Sequence, residues 1–182
     1  MKIVLISGYI GSGKTTFANY LKDYLNKKGC YTEKLAFADK VKQIAKEDFL
    51  WDGKKDKKGR RLLQVIGTEA GREYDPDIWV KYMLKAIRDL PIDPSVVVID
   101  DWRFPNEYYS LASYYDVYTV RVLGKERISD HPSETSLDNS DIPYFMQIPN
   151  TFTSPEEDFD APAEKLYEIL CDYWANLDKE VE

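Results

Sequence analysis

Residues 8–15 read Gly8-Tyr9-Ile10-Gly11-Ser12-Gly13-Lys14-Thr15, the complete phosphate-binding string G-x-x-x-x-G-K-[S/T]. It follows an apolar run, Ile3-Val4-Leu5-Ile6, and opens a helical pattern. Strand, glycine-rich turn and helix, in that order, form the context in which this string binds phosphate. Glycines let backbone N–H groups turn toward phosphate oxygens. The helix N-terminus adds unpaired donors and a partial positive charge. Gly11, Ser12, Gly13, Lys14, Thr15 and Thr16 are therefore expected to hold a nucleoside triphosphate. Lys14 is expected on the β- and γ-phosphates, and the Thr15 hydroxyl on Mg²⁺.

The chain has 182 residues, which predicts one domain over 1–182 with a core that needs no staples. A net charge of −7 argues against a surface that coats a nucleic-acid polymer. It leaves room for a small phosphorylated substrate held by a few local arginines. No apolar stretch approaches a membrane span, and no signal-peptide pattern opens the sequence. Cys30 and Cys171 have no metal spacing and read as buried free thiols in a reducing cytosol. The one basic run, Lys54 to Arg61, reads as a solvated loop unless part of it reaches a nucleotide.

Strand and helix patterns alternate along the chain. Strands are expected at Ile3–Ser7, Tyr31–Phe37, Val96–Ile99, Val117–Leu123 and Tyr144–Ile148. Thr15–Lys28 reads as a helix that ends on Gly29. Asp39 can cap a helix running to about Asp48, and Arg61–Arg72 is helical in pattern. Asp75-Pro76 reads as N-cap and first helical residue, and Asp160-Ala161-Pro162 as the start of the last helix. The segment 38–90 then forms a helical insertion between the second and third strands, and 124–141 is a polar stretch suited to a lid.

The run Val96–Ile99 ends in Asp100-Asp101, and a carboxylate at a parallel strand's C-terminal edge can hold Mg²⁺. Phosphoryl transfer also needs cations around the moving group, because its oxygens are anionic. Arg72, Arg103 and Arg127 are the candidates. No Asn-Lys-x-Asp segment of a GTPase is present. The aromatics Trp51, Tyr74, Trp79 and Trp102 can stack on a base or fill a core.

Several further strings occur in order: Phe37-Ala38-Asp39-Lys40-Val41-Lys42, then Leu63-Gln64-Val65-Ile66-Gly67-Thr68-Glu69 with Arg72, then Asp77-x-Trp79. Asp101-Trp102-Arg103-Phe104-Pro105-Asn106-Glu107 and His131-Pro132-Ser133-Glu134 follow. With the loop they resemble the bacteriophage deoxynucleoside monophosphate kinases over about residues 3–151. The resemblance implies a three-layer α/β P-loop fold with a five-stranded parallel sheet, order 2-3-1-4-5, a monophosphate-binding insertion and a lid. It implies transfer of the γ-phosphate of ATP, with Mg²⁺, to a deoxynucleoside monophosphate. It places Ala38, Asp39, Lys42, Arg72, Trp79, Arg103, His131 and Glu134 around the acceptor. Lys14, Arg103 and Arg127 act on the transferring group, and Thr15, Asp100 and Asp101 serve the metal. The implied setting is the cytoplasm, the host's if the chain is phage-encoded. The implied partners are ATP and the monophosphate, with no nucleic-acid polymer and no membrane, and a homodimer is left open. Two other readings stand beside this one: a P-loop kinase of a non-nucleotide phosphate, phosphomevalonate-like, and a nucleotide-gated regulatory module.

Overall fold

Four consecutive apolar residues with no exposed surface, Ile3 to Ile6, make the strand β1 (Lys2–Ser7) central. A strand buried on both faces reads as a continuous apolar run rather than an alternating one. Its neighbour β3 (Val96–Ile99) is fully buried for the same reason. The structure, a computed structural model, describes residues 1–124 and 135–177. All strand pairs are parallel, and the order is β2-β3-β1-β4-β5, with β2 at Thr32–Leu35, β4 at Asp116–Leu123 and β5 at Met146–Pro149. Ile3 lies beside Val97 on one side and Val117 on the other.

Alternation of side chains across the sheet sorts the core into two layers. Val4, Ile6, Val96 and Val98 face α1 (Lys14–Lys27) and the last helix, α6 (Pro155–Leu177). Phe17 of α1 meets Phe159 of α6 edge-on there, with ring centroids 5.2 Å apart. Ile3, Leu5, Val97 and Ile99 face the other layer. That layer holds α2 (Ala38–Glu47), α4 (Ile78–Arg88) and α5 (Pro105–Ala112). Between α2 and α4 run α3 (Lys57–Gln64) and a π-helical segment, Val65–Arg72.

Three helix starts differ from expectation. Asp39 lies in the first turn of α2 rather than at its cap, and its carboxylate accepts from the Ala36 N–H at 3.0 Å. The first N–H groups of α2 are instead met by Asp101 from across the sheet edge. α4 begins at Ile78 rather than at Pro76, because the Asp75 carboxylate is used in a turn by the Asp77 N–H, 3.0 Å away. α6 begins at Pro155 rather than near Asp160. The Ser154 hydroxyl accepts from Glu157 N at 3.1 Å, three acids fill the first turn, and Pro162 sits inside the helix.

Candidate active site

The phosphate loop leaves β1 and folds onto the N-terminus of α1, whose cap residue is Gly13. Gly13 has φ of 98°, and a Cβ there would lie 2.1 Å from Asn150 Nδ2. Only glycine fits that position. Asn150 follows β5, and its Nδ2 donates to the Ser12 carbonyl at 2.7 Å. Its Oδ1 accepts from Phe152 N at 3.0 Å. The Lys14 ammonium donates to the Gly8 and Tyr9 carbonyls at 2.6 and 2.7 Å. The lysine charge thus lies over the loop itself. Beside the loop, Arg121 of β4 pairs with Asp138 at 2.7 Å, and Tyr9 Oη donates to the same carboxylate at 3.0 Å.

Two clefts meet at this loop. One, of about 470 Å³, is lined by Gly11, Gly13, Lys14, Thr15 and Thr16 from the loop and α1. Its other wall is the turn from Asn150 to Phe159, with Phe152 at its mouth. Phe152 has a φ of 62°, a left-handed conformation that strains a bulky residue, and its side chain is half exposed. Asp158 holds the turn by accepting from Thr151 N at 3.1 Å and Thr151 Oγ1 at 2.5 Å.

The second cleft, of about 290 Å³, is walled by Ile10 of the loop, Ala38 of α2, Thr68 and Arg72 of the π-helical segment, and Arg103. Trp79, Asp101, Phe104 and Glu107 complete its floor. In the π-helical segment Gly71 packs against the Trp79 indole. A Cβ on Gly71 would lie 2.4 Å from Trp79 Cζ2. Trp79 Nε1 donates to the Gly67 carbonyl at 2.7 Å, inside the same segment. π-Helical stretches are rare and recur at functional sites. The last residue of this one is Arg72. Its guanidinium lies 3.9 Å over the Phe104 ring and pairs with Glu107.

Among the sequence-derived positions, Ala38, Arg72, Trp79 and Arg103 line this one cleft. Trp79 contributes an edge only, being 3% exposed and stacked on Tyr82. Asp39 and Lys42 do not line it; they pair with each other at 2.8 Å. Burial works against the Lys42 charge, but Asp39, Asp101 and Asp100 outweigh it and hold the ammonium above its ordinary range. Asp101 differs from a metal ligand's expected state: its two oxygens accept from Phe37 N and Ala38 N at 2.8 and 2.9 Å. Burial pushes its carboxyl up, and those N–H donors pull the other way. Asp101 thus caps α2 through both of its oxygens. Asp100 ends β3 and pairs with Lys34 through one oxygen at 3.3 Å. Mg²⁺ takes hard oxygen ligands, and the Thr15 hydroxyl and the Asp100 carboxylate are groups of that kind. No cluster of three or more metal-ligating side chains occurs among the described residues. Arg127, His131 and Glu134, with most of the 124–141 segment, lie outside the described residues.

Asn150, Phe152 and Glu107 are not among the site residues expected from the sequence, and the basic run Lys54 to Arg61 is expected to be a solvated loop unless part of it reaches a nucleotide. Lys55 and Arg60 of that run line the second cleft. The signal for Glu107 was its position three residues after the cap of α5, where a glutamate reaches back to backbone N–H groups.

A phosphate loop at the C-terminal edge of a parallel sheet of this order, beside a cleft walled by arginines, defines a P-loop kinase. No protein-family model matches the chain. Over 165 residues it is 32% identical to a provisionally assigned deoxynucleotide monophosphate kinase of Acanthamoeba polyphaga mimivirus, covering 75% of this chain and 82% of that protein. Over 88 residues it is 39% identical to the deoxynucleoside-5′-monophosphate kinase of Escherichia phage T5, spanning 43% of this chain and 34% of that one. In three dimensions it is similar to a provisionally assigned kinase from Chloroflexus aurantiacus, with a TM-score of 0.52 at 15% identity over 92% of this chain and 97% of that one. That likeness bears on the fold alone. The chain belongs to the deoxynucleoside monophosphate kinase family of viruses and phages. Among the described residues no helix is long and apolar enough to cross a membrane.

Proposed function

We propose that this kinase transfers the γ-phosphate of ATP to a deoxynucleoside 5′-monophosphate, giving the diphosphate. The observation that carries the reading is the shared wall of the two clefts. Ile10 of the phosphate loop faces the arginine-lined cleft, and Gly11, Gly13, Lys14, Thr15 and Thr16 face the other. A donor seated along α1 and an acceptor seated under Arg72 then meet at the loop. Transfer of this kind asks the protein for positioning and charge, with little covalent work. The acceptor oxygen is already anionic, so no general base is needed.

In this reading the cleft beside α1 takes ATP. The loop amides and Lys14 hold its phosphates, and Phe152 offers a ring face to the base. The segment 38–90 is the acceptor-binding insertion, with Arg72 on the monophosphate and Arg103 between the two phosphates. Thr15 and Asp100 would hold Mg²⁺, which would supply positive charge against the charge developing on the phosphate oxygens. The names of the mimivirus and phage T5 relatives support a deoxynucleotide acceptor. The test is coupled ADP release across a panel of nucleoside monophosphates and non-nucleotide phosphates. At least one deoxynucleoside monophosphate should accelerate turnover over the ATP-only rate. Acceleration confined to non-nucleotide phosphates, or none at all, would refute the proposal.

A further inference from the structure

Glu107 is the least exposed acidic residue among those described, at 1%. A glutamate at the third position of a helix usually caps it from the surface, in water. Here the cap is sunk beneath the cleft. Oε2 accepts from Arg103 N at 2.8 Å and from Phe104 N at 3.0 Å. Oε1 accepts from Arg72 Nη2 at 2.5 Å, across 35 residues of sequence. Arg72 also lies over the Phe104 ring and reaches the Pro76 carbonyl at 3.4 Å. A guanidinium carries five N–H donors. The bonds to Glu107 and Pro76 use two and leave the remainder of the fork for an anion.

We infer that Glu107 is a positioning residue for phosphoryl transfer, fixing Arg72 through one carboxylate oxygen and the Arg103–Phe104 backbone through the other. The inference rests on the reading of this cleft as the monophosphate site. A cap alone does not require burial, and a buried ion pair is poor value for stability against apolar packing. The arrangement makes sense if the arginine must be held in one orientation. The groups facing Glu107 are Arg72 from the π-helical segment and Asp101 and Arg103 from the chain after β3. Just before α4, Asp77 accepts from the neighbouring Asn106. Burial raises the Glu107 carboxyl to about 7, against the pull of Arg72. The anion that aligns Arg72 is therefore lost as pH falls through that value.

The test is steady-state kinetics of the full chain at saturating ATP, varying a deoxynucleoside monophosphate that the wild type accepts. Wild type, Glu107→Gln, Arg72→Ala and the double variant are compared on both sides of pH 7. Glu107→Gln should raise the monophosphate KM about tenfold, as expected for a lost charge-assisted hydrogen bond, with the ATP KM unchanged. The double variant should be no worse than Arg72→Ala, because the glutamine amide oxygen can still accept from Arg103 N and Phe104 N and only the ion pair to Arg72 is lost. The fall in kcat/KM below pH 7 should vanish in Glu107→Gln, leaving only the substrate phosphate's own ionisation near about pH 6. Additive effects in the double variant, equal rises in both KM values, or an unchanged acid limb would overturn the inference. Should Glu107→Gln fail to fold, Arg72→Ala alone decides, since its acid limb must likewise shrink to that of the substrate phosphate. A wild type that no monophosphate accelerates is the separate failure of the acceptor-site reading.

Discussion

The side chain of Asn150 donates to the main-chain carbonyl of Ser12 across 2.7 Å and 138 positions of sequence. The chain leaving β5 thus braces the phosphate loop from the donor side, and Gly13 is the residue that lets it come so close. Asn150→Asp should harm the enzyme more than Asn150→Ala. Aspartate would set a second acceptor against the Ser12 carbonyl, where alanine only removes a donor. A lost hydrogen bond of this kind is worth about 1 kcal/mol, or about fivefold in affinity. The ATP KM should rise about fivefold in Asn150→Ala and further in Asn150→Asp, with the monophosphate KM little changed.

Lys14→Ala should abolish transfer and leave the fold intact. Its ammonium donates to the Gly8 and Tyr9 carbonyls of the loop, and the residue is no part of either apolar core layer. Removing one stabiliser of the transferring charge lowers turnover by about 10²-fold or more. Circular dichroism and the thermal midpoint should match the wild type while kcat falls.

Phe152 bears a strained backbone with its ring half exposed at the cleft mouth. A single base–aromatic stack is worth about 1–3 kcal/mol. Phe152→Ala and Phe152→Gly should both raise the ATP KM at least about fivefold with kcat nearly unchanged. Glycine accepts a positive φ without strain, so Phe152→Gly should melt at or above Phe152→Ala. Equal ATP affinity in all three proteins would remove the stacking role.

Arg72→Ala should act mainly on the monophosphate KM, and Arg103→Ala mainly on kcat. Interactions equal in ground and transition states appear in KM, and those made only in the transition state appear in kcat. A charge-assisted hydrogen bond gives about tenfold or more in either case. An Arg72→Ala enzyme with unaltered acceptor saturation would move the acceptor elsewhere.

The sheet was legible because its strands are buried on both faces and so stand out as unbroken apolar runs, Val96 to Ile99 above all. The phosphate loop was legible because its chemistry is local to eight residues. Strand order came from family resemblance rather than from any single strand. Helix starts were harder. Asp75-Pro76 and Asp160-Ala161-Pro162 both look like starts, yet Asp75 spends its carboxylate in a turn, and Ser154-Pro155 begins α6 first. Asp101 and Glu107 were opaque for another reason. Each is defined by what it meets, N–H groups of α2 for one and a guanidinium from a π turn for the other. Those partners lie tens of residues away, and a linear pattern does not bring them together.

The most direct test of the account is product analysis after incubation with γ-labelled ATP, Mg²⁺ and each deoxynucleoside monophosphate in turn. The account predicts that label appears in a deoxynucleoside diphosphate, one for one with ADP. Label found only as inorganic phosphate, with every monophosphate recovered unchanged, would contradict it.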